Sequence, residues 1–367
     1  MKIAILGTRG IPNNYGGFEQ CAEYLSVGLV KKGHDVTIYS PSFHTYDDKE
    51  YKGVKIIRKN SPQRIFGNSA SNFIYDFLCL NDAVKRDFDI ILELGLITSS
   101  LSIIFIRKNN KLIITNIDGL EWKRSKWNVF IQYFTKKLEK YGVLFSDYLI
   151  ADNEGIQDYI LQEYNRESKL IAYGTEINNN FNLDYLKKYN LNEKKYILSI
   201  ARLEPENNLE MMIDGYILSK LNIPYIIIGN HLTQYGDFLK DKYRGKGVVF
   251  LGGIFDRSCL DSLRFFAKYY LHGHSVGGTN PALLEAMAAK SFIYTHNNKF
   301  NKSVIGENTI YFSNSREVAN LLMDDNNLLR REEYINNNLR KIKEVYCWDT
   351  IVNQYEEYMK EVLLDNL

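Results

Sequence analysis

Short apolar runs alternate along the chain with longer segments whose apolar residues recur at helical spacing. This is the pattern of a parallel sheet covered by helices. Lys2 to Gly7 (KIAILG) reads as a buried strand, and Phe18 to Lys32 sets Cys21, Ala22, Leu25, Leu29 and Val30 on one helical face. Gly33 then closes the helix and His34 to Tyr39 opens the next strand. Further strands are predicted at Val54–Ile57, Ile90–Glu93, Leu112–Asn116 and Tyr148–Ala151. The pattern restarts with Tyr196–Ile200, Tyr225–Gly229, Val248–Leu251, Tyr269–Leu271 and Phe292–Tyr294. Between the halves, Asn178 to Lys195 is rich in Asn, Lys and Tyr, which puts the boundary near Tyr173–Asn178. Trp348 to Leu363 carries Ile351, Val352, Tyr355, Tyr358 and Met359 at helical spacing, predicting a terminal helix that packs back toward the first half. The expected division is 1–175, 176–345 and 346–367, with two α/β, Rossmann-like, doubly wound parallel-sheet domains facing across a cleft.

Composition narrows the class. A chain of 367 residues is too long for one ordinary core, and 45% apolar with 25% charged residues is globular. Lys plus Arg number 46 against 44 acidic residues, a net charge of +2 that gives no general reason to bind nucleic acid. Cys21, Cys79, Cys259 and Cys347 are dispersed without a CxxC pair, so reduced thiols in a cytoplasmic protein are expected, with neither disulfide framework nor zinc site. The opening MKIAILGTRG reads as a strand and not as a signal peptide. No run approaches the roughly 20 apolar residues of a membrane span, so the reading is soluble or peripheral.

Chemistry is expected in loops that follow strands. The first, GTRGIPNNYGG from Gly7 to Gly17, leads from strand to helix. Gly16 and Gly17 at a helix N-terminus allow close backbone approach to phosphate, with Arg9 as a nearby cation and Tyr15 on the acceptor side. The alternative is a glycine turn serving chain reversal alone. There is no GxGxxG and no acidic end to the second strand, which argues against a nicotinamide enzyme. The second loop, Asn116 to Arg124, offers Asp118, Glu121 and Trp122 to a sugar acceptor, with Asp118 orienting or deprotonating the attacking hydroxyl. Asp118 and Glu121 fit a helix capping box equally well by spacing.

In the second half, Arg202 follows a strand where a guanidinium meets a diphosphate; the alternative is a surface pair with Glu204 or Glu206. The stretch HGHSVGGTNPALLEAMAA from His272 is the most informative. Gly277, Gly278, Thr279 and Asn280 lead to Pro281, which opens a helix expected to carry Glu285 in its first turn. Free N–H groups at that terminus would form a second anion site, and Glu285 would accept both hydroxyls of a ribose. His272 and His274 at i, i+2 without a third ligand give little support to a metal.

RLEPENN at Arg202, PALLEAMA with Glu285 and the IIIGN turn at Gly229 resemble family-4 glycosyltransferases of the GT-B fold. ILGTRGIPNNYGGFE, NIDGLEWKRSKW, HGHSVGGTNPALLEAMA and the terminal YCWDTIVNQYEEY are similar to the bacterial rhamnosyltransferase-like branch. The resemblance implies a retaining transfer of a hexosyl group, with no cofactor and no metal. The nucleotide sugar, dTDP-rhamnose by best match, would be a co-substrate. It implies a saccharide acceptor, lipid-linked, in capsule or O-antigen synthesis at the inner membrane face. Glu285 matches the second Glu of the family's E-x7-E motif, Arg202 the diphosphate arginine, and Gly16 and Gly17 the N-terminal glycine loop. Arg9, His274, Gly277, Gly278, Thr279 and Asn280 complete the donor side.

Two positions depart from the family pattern. Gly277 stands where the first Glu belongs, which suits a 6-deoxy sugar lacking the hydroxyl that Glu would bind. Asn207 stands where a phosphate-binding lysine belongs, leaving His272, His274 or Arg9 to compensate. Lys123, Arg124, Lys126, Lys136, Lys137 and Lys140 form a basic cluster that either meets anionic lipid or is a solvated helix face. A nucleotide-sugar epimerase and a non-catalytic nucleotide-sugar-binding scaffold are the rival readings.

Overall fold

The computed structural model describes residues 1–367 apart from 15, 107–110, 118, 125–126 and 367, and the backbone alone at 64–66 and 68–69. The chain forms two compact units. Met1–Lys123, Trp127–Gly174 and Trp348–Leu367 make the first; Thr175–Cys347 with Arg124–Lys126 make the second.

The first unit contains β1 (Lys2–Leu6), β2 (Asp35–Pro41), β3 (Glu50–Tyr51), β4 (Val54–Lys59), β5 (Ile90–Glu93), β6 (Leu112–Ile117), β7 (Tyr148–Ala151) and β8 (Lys169–Leu170). Their order is β3-β4-β2-β1-β5-β6-β7-β8, parallel throughout except for the β3–β4 hairpin. Helices cover both faces, which is why β1 and β5 are near-continuous aliphatic runs and do not alternate. On one face Leu25 and Leu29 of the helix Gly17–Lys31 join Ile3, Ile5, Ile38 and Leu92. On the other, Tyr75, Cys79 and Leu80 of the helix Gln63–Ala83 meet Ala4, Leu6 and Ile91.

The terminal helix Trp348–Leu364 is part of this first core, burying Trp348, Ile351, Val352, Tyr355, Met359 and Val362. Trp348 stacks on Tyr24 with centroids 4.7 Å apart. Gly28 lets the two helices approach, since a Cβ there would lie 2.6 Å from Val352 Cγ2. Glu356 binds Lys32 at 2.8 Å, His34 at 2.9 Å and Lys360 at 2.7 Å, and hydrogen bonds from these partners, Lys32 foremost, hold its carboxyl down at about 2.

The second unit contains β9 (Ile197–Ile200), β10 (Tyr225–Ile228), β11 (Val248–Gly252), β12 (Tyr269–His272), β13 (Ile293–His296) and β14 (Ile310–Phe312). All are parallel, in the order β11-β10-β9-β12-β13-β14. The chain enters this unit at Thr175 and leaves it at Cys347, and those residues pair as a parallel bridge. In each sheet the order reverses once, between β1 and β5 and between β9 and β12. Ligands of doubly wound sheets bind outside the carboxyl ends of the strands at such reversals.

Candidate functional site

At the β9/β12 reversal, the loops after the two strands are laced together. Asn207 Nδ2 donates to the Arg202 carbonyl at 2.7 Å, which leaves Oδ1 to accept from His274 Nδ1 at 2.9 Å. That bond puts the imidazole proton on Nδ1. Ser275 donates from N and Oγ to the Glu206 carbonyl at 3.0 and 2.9 Å, and Asn208 Nδ2 donates to the Gly273 carbonyl at 2.7 Å. Gly273 is required by this closeness, because a Cβ there would run into the Asn207 carbonyl oxygen. From the start of the helix Lys299–Ile305 that follows β13, Asn298 and Asn301 donate to the His274 carbonyl at 3.0 and 2.9 Å.

The position of Asn207 thus has a structural occupant where the resemblance calls for a lysine. The histidines do not supply the missing charge. Burial, and then the charge of Arg202, hold the His274 pKa down at about 4. Burial, and then its histidine neighbours, hold His272 at about 3. Burial therefore opposes a charge on either ring. His272 is buried with Nε2 lacking a hydrogen-bond partner. Among the described residues no group of three metal-ligating side chains is assembled.

Arg202 projects with its side chain 59% exposed and stands 3.7 Å from Glu204. At that distance and exposure the pair is loose, and the guanidinium is accessible. Gly277 and Gly278 are buried beside Thr279, and Gly277 has φ +121°. That backbone conformation disfavours any side chain, so glycine at the family's glutamate position is a backbone requirement as well as a missing carboxylate.

The helix Pro281–Ala288 differs from its expected use in two ways. Glu285 is its fifth residue and lies in the second turn. The first-turn donors are also spent: Pro281 has no N–H, Ala282 N donates to Asn280 Oδ1 at 2.9 Å, and Leu283 N to the Asn280 carbonyl at 3.0 Å. Glu285 accepts from Arg264 Nη2 at 2.5 Å, and Arg264, buried at the end of the helix Arg257–Phe266, also binds Asp261 at 2.9 Å. Burial opposes the Arg264 charge, but Glu285 and Asp261 more than offset it and raise the pKa. One-fifth of the Glu285 side chain remains accessible.

In the first unit, the loop after β1 is fixed by carboxylates of the following helix. Arg9 N donates to Glu19 at 3.0 Å and Asn13 N to Glu23 at 2.8 Å. Gly16 is the extended N-cap residue, its N donating to Asn13 Oδ1 at 3.2 Å, and Gly17 begins the helix. Beside this loop, at the β1/β5 reversal, lies Glu93. It is wholly buried, and neither carboxylate oxygen completes a hydrogen bond, although the nearby Gly95 N–H softens its charge. Gly7, with φ +79°, is demanded there because a Cβ would strike Glu93 Oε1. Burial, and then the neighbouring Asp76, push the Glu93 pKa well up, and burial raises Asp76 to about 7.

Of the acceptor-side residues, Tyr15 and Asp118 lie outside the described residues. Glu121 sits in a short 3-10 turn and accepts from Trp127 Nε1 at 3.2 Å. The Trp122 ring carries the Lys136 ammonium at 4.6 Å and that of Lys123 at 5.2 Å from its centroid.

Residues 1–176 match the family model described as a domain of unknown function, DUF1972. No curated protein matches the chain in sequence. Among solved structures, sucrose-phosphate synthase from Thermosynechococcus elongatus superposes with a TM-score of 0.81 at 14% identity, covering 99% of each chain. Anabaena HepE in complex with UDP and glucose gives 0.76 at 15%, covering 98% of this chain and 100% of that one. A glycosyltransferase from Rickettsia africae gives 0.74 at 15%, covering 100% of both. The fold is GT-B. Within this GT-B chain, sequence reasoning passed over Arg264, Asp261, Asn298, Asn301 and Glu93. Only Glu93, an acid closing an otherwise apolar strand, carried a local signal.

Proposed function

We propose that this chain is a retaining glycosyltransferase that takes a nucleotide-sugar donor in its second unit. The observation that carries the proposal is the laced β9/β12 reversal, where Asn207 ties the Arg202 backbone to His274 beside the Gly277–Asn280 loop. Arg202 meets the donor diphosphate, and Glu285 offers its accessible edge to the ribose while Arg264 keeps it oriented. The departing diphosphate is stabilised by a preorganised guanidinium and loop dipoles, with no proton supplied by the neutral histidines. His274 lends a hydrogen-bonding edge and no charge. Arg9, Gly16, Gly17 and the first-unit residues Tyr15, Asp118, Glu121 and Trp122 are assigned to the phosphate and acceptor sides.

The donor sugar is L-rhamnose carried on dTDP, and the acceptor is a lipid-linked saccharide of a bacterial surface polysaccharide. The support for a 6-deoxy sugar is Gly277, whose backbone excludes the usual carboxylate. A glucosyl donor is the second reading, because the structurally similar HepE forms a complex with UDP and glucose. The test is a donor panel, dTDP-rhamnose and UDP-glucose included, with calorimetry for binding and mass spectrometry for transfer to synthetic lipid-linked acceptors. Transfer from dTDP-rhamnose is expected. Binding without transfer to any acceptor would leave a scaffold, and free epimerised sugar would leave an epimerase; either result overturns the proposal.

A further inference from the structure

The outward face of one first-unit helix is apolar where a soluble surface is ordinarily polar. The helix Val129–Phe145 starts at Asn128, whose side chain accepts from Ile131 N at 3.0 Å. It buries Thr135, Leu138, Glu139, Gly142 and Val143 on its inner side. On the outer side Phe130 is 87% exposed, Val129 78%, Tyr133 66% and Phe134 54%. Phe130, Tyr133, Phe134, Lys137 and Tyr141 recur at three- and four-residue steps and form one stripe. Gly142 packs against Leu96 and Ser100 of the helix Leu96–Ile106. That neighbouring helix also exposes an aromatic, Phe105, at 71%.

Charge selects the occupant. The one acid in this helix, Glu139, is buried and accepts the hydroxyls of Tyr159 and Tyr164 at 2.6 and 2.7 Å. The outer face therefore presents aromatic rings with Lys137 and Lys140 exposed among and beside them, and no carboxylate of its own. Lys137 lies 5.3 Å from the Tyr133 ring centroid. Of the basic cluster read from the sequence, Lys136 is instead committed to Glu163 at 2.8 Å, and Lys126 lies outside the described residues.

We propose that the stripe from Phe130 to Tyr141 is a membrane-docking surface, inserting its aromatic residues into the headgroup boundary of a bilayer containing anionic lipid. Aromatic and aliphatic residues with interspersed lysines are the composition of helices that lie in the interface plane. No described helix is long and apolar enough to cross a membrane, so this contact is of the lying kind. The inference deepens the lipid-linked acceptor reading without depending on it, because vesicle binding requires neither donor nor acceptor.

The test is co-sedimentation of the full chain with phosphatidylcholine vesicles, with and without phosphatidylglycerol, across a salt series. Wild type is expected to bind the phosphatidylglycerol vesicles and to weaken as salt rises. The double variant Phe130→Ser/Phe134→Ser should weaken binding at least tenfold with unchanged melting, since both rings are exposed in the folded chain. Lys137→Glu/Lys140→Glu should remove the phosphatidylglycerol preference. Wild type that fails to sediment with anionic vesicles, or a serine double variant that binds like wild type, overturns the proposal. So does a wild-type dimer that the same serine variant dissolves, because the stripe would then be an interface between copies.

Discussion

Arg264 donates to Glu285 at 2.5 Å from a site almost sealed from solvent, and the same guanidinium holds Asp261 at 2.9 Å. Glu285 therefore has two separable roles. Removing one member of a buried ion pair costs about 3–5 kcal/mol, because the other charge stays buried and unpaired. Glu285→Ala is expected to destabilise the second unit on that scale in urea titrations. Glu285→Gln keeps an acceptor for Arg264, so it should retain most of the stability while weakening nucleoside diphosphate binding tenfold or more by calorimetry. Wild-type affinity in Glu285→Gln would remove Glu285 from the donor site.

Gly277 has φ +121°, a backbone geometry that costs a residue with a side chain of order 1–3 kcal/mol. Gly277→Glu, which restores the family's motif, should lower the melting temperature and should not create activity toward hexose donors. Gly277→Ala separates the two effects, since it carries the strain without the charge. A stable Gly277→Glu protein with new glucosyl transfer would refute the backbone argument.

Asn207 is the hinge pin between the Arg202 carbonyl and His274. Asn207→Ala strands a buried donor and an acceptor, at roughly 1–3 kcal/mol each. Asn207→Lys restores the family's cation but loses both hydrogen bonds, so it should weaken donor binding. Stronger nucleotide binding by Asn207→Lys, read by calorimetry, would show that charge outweighs loop position here.

Burial-shifted groups in the two units respond to acid with opposite signs. In the second, His272 and His274 have folded pKa values of about 3 and about 4, below the ordinary 6.5. Between those values the unfolded chain binds more protons, so stability is lost as pH falls from 6.5. In the first, Asp76 is raised to about 7, so the folded form holds the extra proton and stability falls as pH rises from about 4 to 7. All three tryptophans (Trp122, Trp127, Trp348) belong to the first unit, whose unfolding their fluorescence follows. Hydrogen exchange follows the second. Asp76→Asn should lessen the first slope and His272→Gln the second, where His274 still titrates; unchanged slopes would reject the assignment.

Deleting the helix Trp348–Leu364 should unfold the first unit, because it strips Trp348, Ile351, Val352, Tyr355 and Met359 from the core. Gly28→Leu is the milder probe, since its Cβ would lie 2.6 Å from Val352 Cγ2. It should lower the tryptophan-monitored melting temperature and leave second-unit hydrogen exchange unchanged.

Strands buried on both faces were legible because continuous aliphatic runs such as those at Ile3, Ile90 and Tyr225 have no other stable home. Glu50–Tyr51, Lys169–Leu170 and Ile310–Phe312 were not, because they are too short for a hydrophobic period to register and are held by a neighbouring strand. Around the candidate site, glycine, proline and charge at strand ends drew attention to Arg202, Gly277 and Glu285. Their partners carried no such mark. Arg264 reads as an ordinary basic residue in a helix, 21 positions before the carboxylate it binds.

By itself, then, the sequence determined the alternation of strands and helices and the loops in which special residues gather, since both follow from local period and backbone freedom. The tertiary structure alone decided what those residues meet. It gave Glu285 to Arg264, Asn207 to His274, and buried Glu93 beside Asp76. Burial and pairing at a distance, which no local pattern encodes, set charge and orientation at this site.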